Sequence, residues 1–171
     1  NLSAGRGYVV SAPRWFEPAA LLPPGPHPDF ARPPLLPVIG AVLFRLPGEW
    51  EAWARAFMVA LGTLAVWLVC RAGGLVFQAK GTPFHQRTGI IAAGILALHP
   101  YAIYYSGRWS TETPFLVAAL GAVVTLAEWG AHENRGLCAG MPRLALAGLL
   151  TGLAALTRPT GLVLVPALAA W

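Results

Sequence analysis

The chain has 171 residues, of which 56% are apolar and only 11% charged, and a net charge of +5 at neutral pH. A soluble domain carries about 25% charged residues, and the mean hydropathy here is +0.58. Composition excludes an ordinary soluble enzyme and points to an integral membrane protein.

The first 55 residues form a region of their own. Arg6, Arg14, Arg32, Arg45 and Arg55 are interspersed with Glu17, Asp29, Glu49 and Glu51, and prolines cluster at 23–28 and 33–34. Such a mixture, with Tyr8, Trp15, Phe16 and Phe30 among it, reads as a structured extramembrane loop. Its one apolar run, 35–46, contains Pro37 and Arg45 and is too short for a span, which needs about 20 residues. A helix lying at the membrane surface is predicted there, with Pro33 and Pro34 at its start, where a missing N–H costs nothing.

Charge-free runs divide the rest at 56–70, 88–107, 113–127, 144–157 and 159–171. Only the 88–107 run reaches spanning length unaided. The first and third reach it once Trp53, Arg71 and Trp129 anchor or snorkel at the interface. The predicted helices are therefore about 54–72, 88–107, 112–129 and 143–157, followed by an incomplete one over 159–171. His99 with Pro100 is expected to kink the second. The fold class is all-α: a polytopic membrane helical bundle (56–171) preceded by an external loop (1–55) that carries a juxtamembrane helix. Small residues such as Ala118, Ala119, Gly121 and Ala122 recur where helices approach closely.

The last apolar tract is broken by Arg158 followed by Pro159. An arginine at membrane depth costs roughly 2.5 kcal/mol or more, and the proline removes a backbone donor and clashes with the preceding turn. Two short helices meeting at a bend are predicted, around a site lined by protein.

The remaining signals are weaker. Cys70 and Cys138 have no metal or disulfide spacing, and His27, His85 and His132 are scattered over loops. Lys80 is the only lysine among many arginines, a bias that fits a GC-rich bacterial genome. Asn1 is not preceded by methionine and Trp171 falls within an apolar run, so the chain is expected to be an interior piece of a longer protein. With four crossings, Arg71, Lys80, Arg87, Arg135 and Arg143 fall on one face and the other arginines on the opposite one. The positive-inside rule hardly decides between them.

Five strings in order carry a resemblance: NLSAGRGY from Asn1, FARPPLLPVIGAV from Phe30, an apolar run ending at Arg71, SGRWSTETPFLVAAL from Ser106, and GLLTGLAALTRPTGLVLVP from Gly148. Together they resemble the GT-C glycosyltransferases, in the branch of the protein O-mannosyltransferases and the aminoarabinose transferase of lipid A. The resemblance implies a multi-pass enzyme of the cytoplasmic (inner) membrane. Such an enzyme takes a sugar from a polyprenyl-phosphate donor and passes it to a protein, lipid or polysaccharide acceptor on the external, periplasmic face. No nucleic-acid partner is expected. It places the loop before the first span outside and the connection from Arg71 to Arg87 in the cytoplasm. It also implies a principal catalytic aspartate upstream of Asn1, so this fragment alone is expected to be inactive.

Displacing a polyprenyl phosphate needs a base for the acceptor hydroxyl and fixed positive charge for the departing phosphate. Arginine suits the second task because its planar fork offers several donors and keeps its charge. By resemblance, Arg32 before Pro33 and Arg158 after the GLAALT stretch bind the donor phosphate and are expected to converge on it. Each is also accounted for as an arginine reaching headgroups. Glu112 matches a second acidic residue at the outer end of a span. It can orient the acceptor, assist the base or ligate a divalent metal, although a carboxylate beside the helix start at Thr113 and Pro114 is favoured by the helix dipole in any case. Asp29, Arg108, Tyr104 and Tyr105 are further cleft candidates, the tyrosines with Tyr101 equally forming an interfacial belt. A transporter or lipid flippase with an anionic-substrate site at broken helices is the alternative.

Overall fold

A computed structural model describes residues 9–10, 27–28, 33–78, 85–130 and 137–169. Within them the chain is almost wholly helical. The exception is a two-residue antiparallel pairing of β1 (Val9–Val10) with β2 (His27–Pro28), in the register Val9 to Pro28 and Val10 to His27.

Helix α1 (Leu35–Leu43) begins after Pro34, whose carbonyl accepts from the Val38 N–H at 3.1 Å. Pro37 lies in the first turn, where the backbone N–H groups have no partner inside the helix. A helix is thus present where one was predicted, slightly shorter than the run that suggested it.

Helix α2 (Trp50–Gln78) is longer than its predicted 54–72. Arg55 and Arg71 end the apolar run without ending the helix: Arg55 pairs with Glu51 one turn earlier at 3.6 Å, both side chains well exposed. Such charges mark where apolar surroundings stop, and a helix continues through them into polar surroundings.

The 88–107 run, expected to reach spanning length by itself with a kink at His99 and Pro100, is divided there. It forms α3 (His85–Leu98) and α4 (Pro100–Ser106), bent by 65° at the break between them. His99 is extended (φ −70°, ψ 122°) because the residue before a proline is pushed out of the α region. The kink expected at His99 and Pro100 divides the run.

Helix α5 (Glu112–Gly130) matches its predicted limits closely. Helix α6 (Leu137–Thr157) starts before the predicted 143 and takes in Cys138, Pro142 and Arg143. It stops where predicted. Arg158, again before a proline, is extended (φ −149°, ψ 136°), and a 3-10 turn (Pro159–Val163) leads into α7 (Leu164–Ala169).

The packing order is α3, α2, α5, α6, with α4 also against α2 and α5. Close approach depends on glycine at the α2–α3 crossing. A Cβ on Gly73 would fall 2.8 Å from the Gly89 Cα, and one on Gly89 would collide with the Cys70 carbonyl. Gly161 does the same for the final reversal, since a Cβ there would meet the Ala154 and Ala155 backbone at 2.6 Å. The buried side chains are small or flexible, with Met58, Ala65, Ala122 and Ala154 near the centre.

Two helices, over Trp50–Val76 and Glu112–Gly130, are long and apolar enough to cross a membrane, and the bent α3–α4 pair makes a third if it is one span. Ile90, Ile91, Ile95, Leu98 and Trp67 lie exposed on the outside, as a lipid-facing surface requires. These features associate the chain with a membrane.

Candidate functional site

Two contacts define the ends of the helix stack. At one end Arg71 of α2 meets Glu128 of α5 at 2.5 Å. At the other, Glu112 of α5 meets Arg158 at 3.5 Å. Helices α2 and α5 therefore run in the same direction, while Gly121 facing Leu150 sets α6 antiparallel to α5. Helix α1 lies at the Glu112 end, with Gly40 against the Trp109 indole.

Glu112 opens α5, where unpaired backbone N–H groups and the helix dipole favour a carboxylate. Arg158 owes its position to the break: the pre-proline backbone turns its side chain out of the α6 register, toward α5. The Thr157 hydroxyl is buried and donates to the Ala154 carbonyl at 2.6 Å, holding the last turn of α6. The Arg158 N–H donates to the same carbonyl at 3.0 Å, and the Gly161 N–H donates to the Arg158 carbonyl at 2.9 Å. The side chains of Arg158 and Glu112 are 43% and 34% exposed.

A separation of 3.5 Å exceeds the roughly 2.7–2.9 Å of a tight charge-assisted hydrogen bond. A pair so exposed contributes about 0.2–1 kcal/mol. With five N–H donors on the guanidinium, Arg158 can touch Glu112 and still offer a face to a phosphate.

Glu112 also reaches an open cavity of about 540 Å³ lined by α2, α3, α4 and the start of α5. Tyr105, Thr113 and Ser106 share its wall, and the Thr113 hydroxyl donates to the Tyr105 carbonyl at 3.1 Å, tying the end of α4 to the start of α5. Arg158 does not line this cavity, so the carboxylate stands between an arginine on one flank and a largely apolar chamber on the other.

Among the other candidates, Arg108 and Tyr104 join each other. The guanidinium hydrogen-bonds to the phenol and lies 5.1 Å from the ring centroid. Tyr104 meets Tyr105 edge-on at 5.2 Å, and Tyr105 stacks with Tyr101 at 6.0 Å. Arg32 and Asp29 lie outside the described residues, and with them the expected convergence of Arg32 on Arg158. Among the described residues no three His, Cys, Asp or Glu side chains gather as a metal would require.

Sequence reasoning passed over Trp109, which sits against Gly40 of α1 and 6.2 Å from the Phe57 ring of α2. It bridges α1 and α2 three residues before Glu112. Its neighbour Ser110 has a buried hydroxyl oxygen without a hydrogen-bond partner among the described residues. A tryptophan between an arginine and a capping Ser-Thr-Glu run was the available signal. The pairing of Arg71 with Glu128 is not legible in the sequence because the two lie 57 residues apart on separate helices.

No model of a known protein family, no curated protein and no solved structure matches this chain.

Proposed function

We propose that the chain is part of a membrane glycosyltransferase that takes a sugar from a polyprenyl-phosphate donor and transfers it at the outer face of the cytoplasmic membrane. One observation carries the reading: Glu112 and Arg158, chosen separately as an acceptor-side acid and a donor-side cation, form one ion pair beside a cavity. The order of the five sequence strings is consistent with it.

In the reaction the acceptor oxygen bonds to the sugar carbon while the carbon–oxygen bond to phosphate breaks. The bonding pair leaves with the phosphate oxygen, and the acceptor proton passes to a carboxylate. Arg158 stabilises the charge gathering on the phosphate. Glu112 orients Arg158 and the incoming hydroxyl, while the resemblance assigns the proton to a separate catalytic aspartate. The active assembly is a multi-pass helical bundle, with α1 and Glu112 on the periplasmic side.

A transporter or flippase is the second reading, favoured by the two pre-proline breaks at His99 and Arg158, since interrupted helices also frame anionic-substrate sites. The readings separate in the full-length protein reconstituted in vesicles with a sugar-labelled polyprenyl-phosphate donor. Transfer cleaves the donor, whereas transport moves it intact. Arg158→Ala is expected to lower kcat/KM for the donor more than about tenfold, a loss of about 1.4 kcal/mol of transition-state stabilisation. Unchanged donor kinetics would reject the phosphate role.

A further inference from the structure

The cavity beside Glu112 has a chemical polarity of its own. Its body is apolar, with Val59, Val66, Leu96 and Leu116 on the walls. Its aliphatic hydroxyls already donate to backbone carbonyls: Thr63 to Val59 at 3.0 Å, Ser106 to Ile103 at 2.9 Å, and Thr113 to Tyr105 at 3.1 Å. Each hydroxyl has one proton to give, so toward the cavity these three offer only lone pairs. The phenols of Tyr101 and Tyr105 donate or accept. His99 is an exposed ring on the wall, at the break between α3 and α4 and about 9 Å along the chain axis from Tyr105. Among the described residues the one carboxylate on the wall is Glu112, and Arg158 is not on it.

An occupant must therefore bring hydrogen-bond donors to the Glu112 end and an apolar body to the rest. An anionic head inside the cavity would meet the Glu112 carboxylate and a row of acceptors, while the balancing Arg158 guanidinium, 3.5 Å from Glu112, lies off the wall. We propose that the cavity binds an uncharged amphiphile whose head is a hydroxyl, with that hydroxyl donating to Glu112 and its hydrocarbon lying along Leu116 and Val66. Charge complementarity selects this occupant over a fatty acid or phospholipid headgroup. The binding does not depend on the transferase reading; under that reading the occupant is the acceptor, and Arg158 serves the donor on the opposite flank.

The test uses the full-length protein in vesicles of neutral phosphatidylcholine, labelled with a long-chain alcohol bearing a photoactivatable group in its chain. Cross-links are expected in the peptides containing 59–66 and 96–116. Unlabelled alcohol is expected to compete about tenfold better than the fatty acid of the same chain length, measured with the acid fully ionised. In Glu112→Gln, which keeps an acceptor and removes the charge, that preference is expected to fall to about threefold or less. Competition by the acid as strong as by the alcohol in the unmodified protein would overturn the proposal. So would cross-links confined to other segments, no saturable labelling, or an unaltered preference in Glu112→Gln. Donor cleavage is a separate readout, so loss of the transferase reading leaves this result intact.

Discussion

Glu112 and Arg158 meet at 3.5 Å although the whole of α5 and α6 separates them in sequence. The contact exists because α6 returns antiparallel along α5 and then stops at Thr157, two residues before Pro159, at the level where α5 begins. The two side chains are partly exposed, so the geometry is inexpensive to keep and inexpensive to open.

The first prediction follows from that economy. Glu112→Ala and Arg158→Ala are each expected to change stability by no more than about 1 kcal/mol, with a coupling of about 0.2–1 kcal/mol in a double-mutant cycle. Donor use should fall far more. The exchanged pair, Glu112→Arg with Arg158→Glu, should recover the coupling and leave donor use impaired. Thermal unfolding and donor kinetics on the four variants measure both, and parallel losses in the two readouts would contradict the expectation.

Arg71 and Glu128 supply a matching control at the other end of α5. Their side chains are 51% and 29% exposed, so Arg71→Ala is expected to cost about 1 kcal/mol or less and to leave donor kinetics within about twofold. A tenfold loss of donor use would mean that the two ends of α5 are coupled.

Gly161 holds the reversal that presents Arg158. Gly161→Val drives a side chain into the Ala154 and Ala155 backbone and is expected to destabilise by about 1–3 kcal/mol. Disulfide formation between cysteines placed at 112 and 158 should fall in the same variant. Cross-linking that stays efficient would show the turn is not what positions Arg158.

The approach of α2 to α3 gives a parallel case. Gly73→Leu, aimed at the Gly89 backbone, is expected to cost about 1–3 kcal/mol by the same overpacking. Unfolding in detergent reads the loss directly, and an unshifted midpoint would argue against the crossing.

Sidedness is the last prediction. Arg45, Arg108 and Glu112 lie toward one end of the stack and Arg87 toward the other. In a background with Cys70 and Cys138 replaced, Arg45→Cys and Arg108→Cys should react with an impermeant maleimide from outside, whereas Arg87→Cys should react only after permeabilisation. Labelling of all three from one side would refute the crossing pattern.

Sequence logic served best where one residue's covalent geometry decides the backbone. Arg158 before Pro159 and His99 before Pro100 were both readable as breaks, because the proline ring constrains its predecessor whatever the tertiary context. The 88–107 run bends by 65° at the expected kink, an angle the sequence does not give, because the absence of charge measures apolar length and says nothing about direction. The predicted 54–72 is shorter than α2, Trp50–Gln78, because spanning length sets how much of a helix lies in apolar surroundings, while a helix needs only hydrogen-bonded turns to continue. Glu112 and Arg158 were each singled out in advance, yet their contact was beyond a linear reading: it depends on how far α6 climbs along α5. Arg32 and Asp29 fall outside the described residues, so their share of the site stands as an expectation from the sequence.

Helix α5 carries a glutamate near each end, and each is answered by an arginine from a different neighbour. Because synthesis proceeds from the N-terminus, Arg71 already exists when Glu128 emerges, whereas Glu112 must wait until α6 has been made before Arg158 can reach it. Ribosomes stalled between these two events would hold a nascent chain with one acid satisfied and the other bare, so the pair at Glu112 closes after the pair at Glu128.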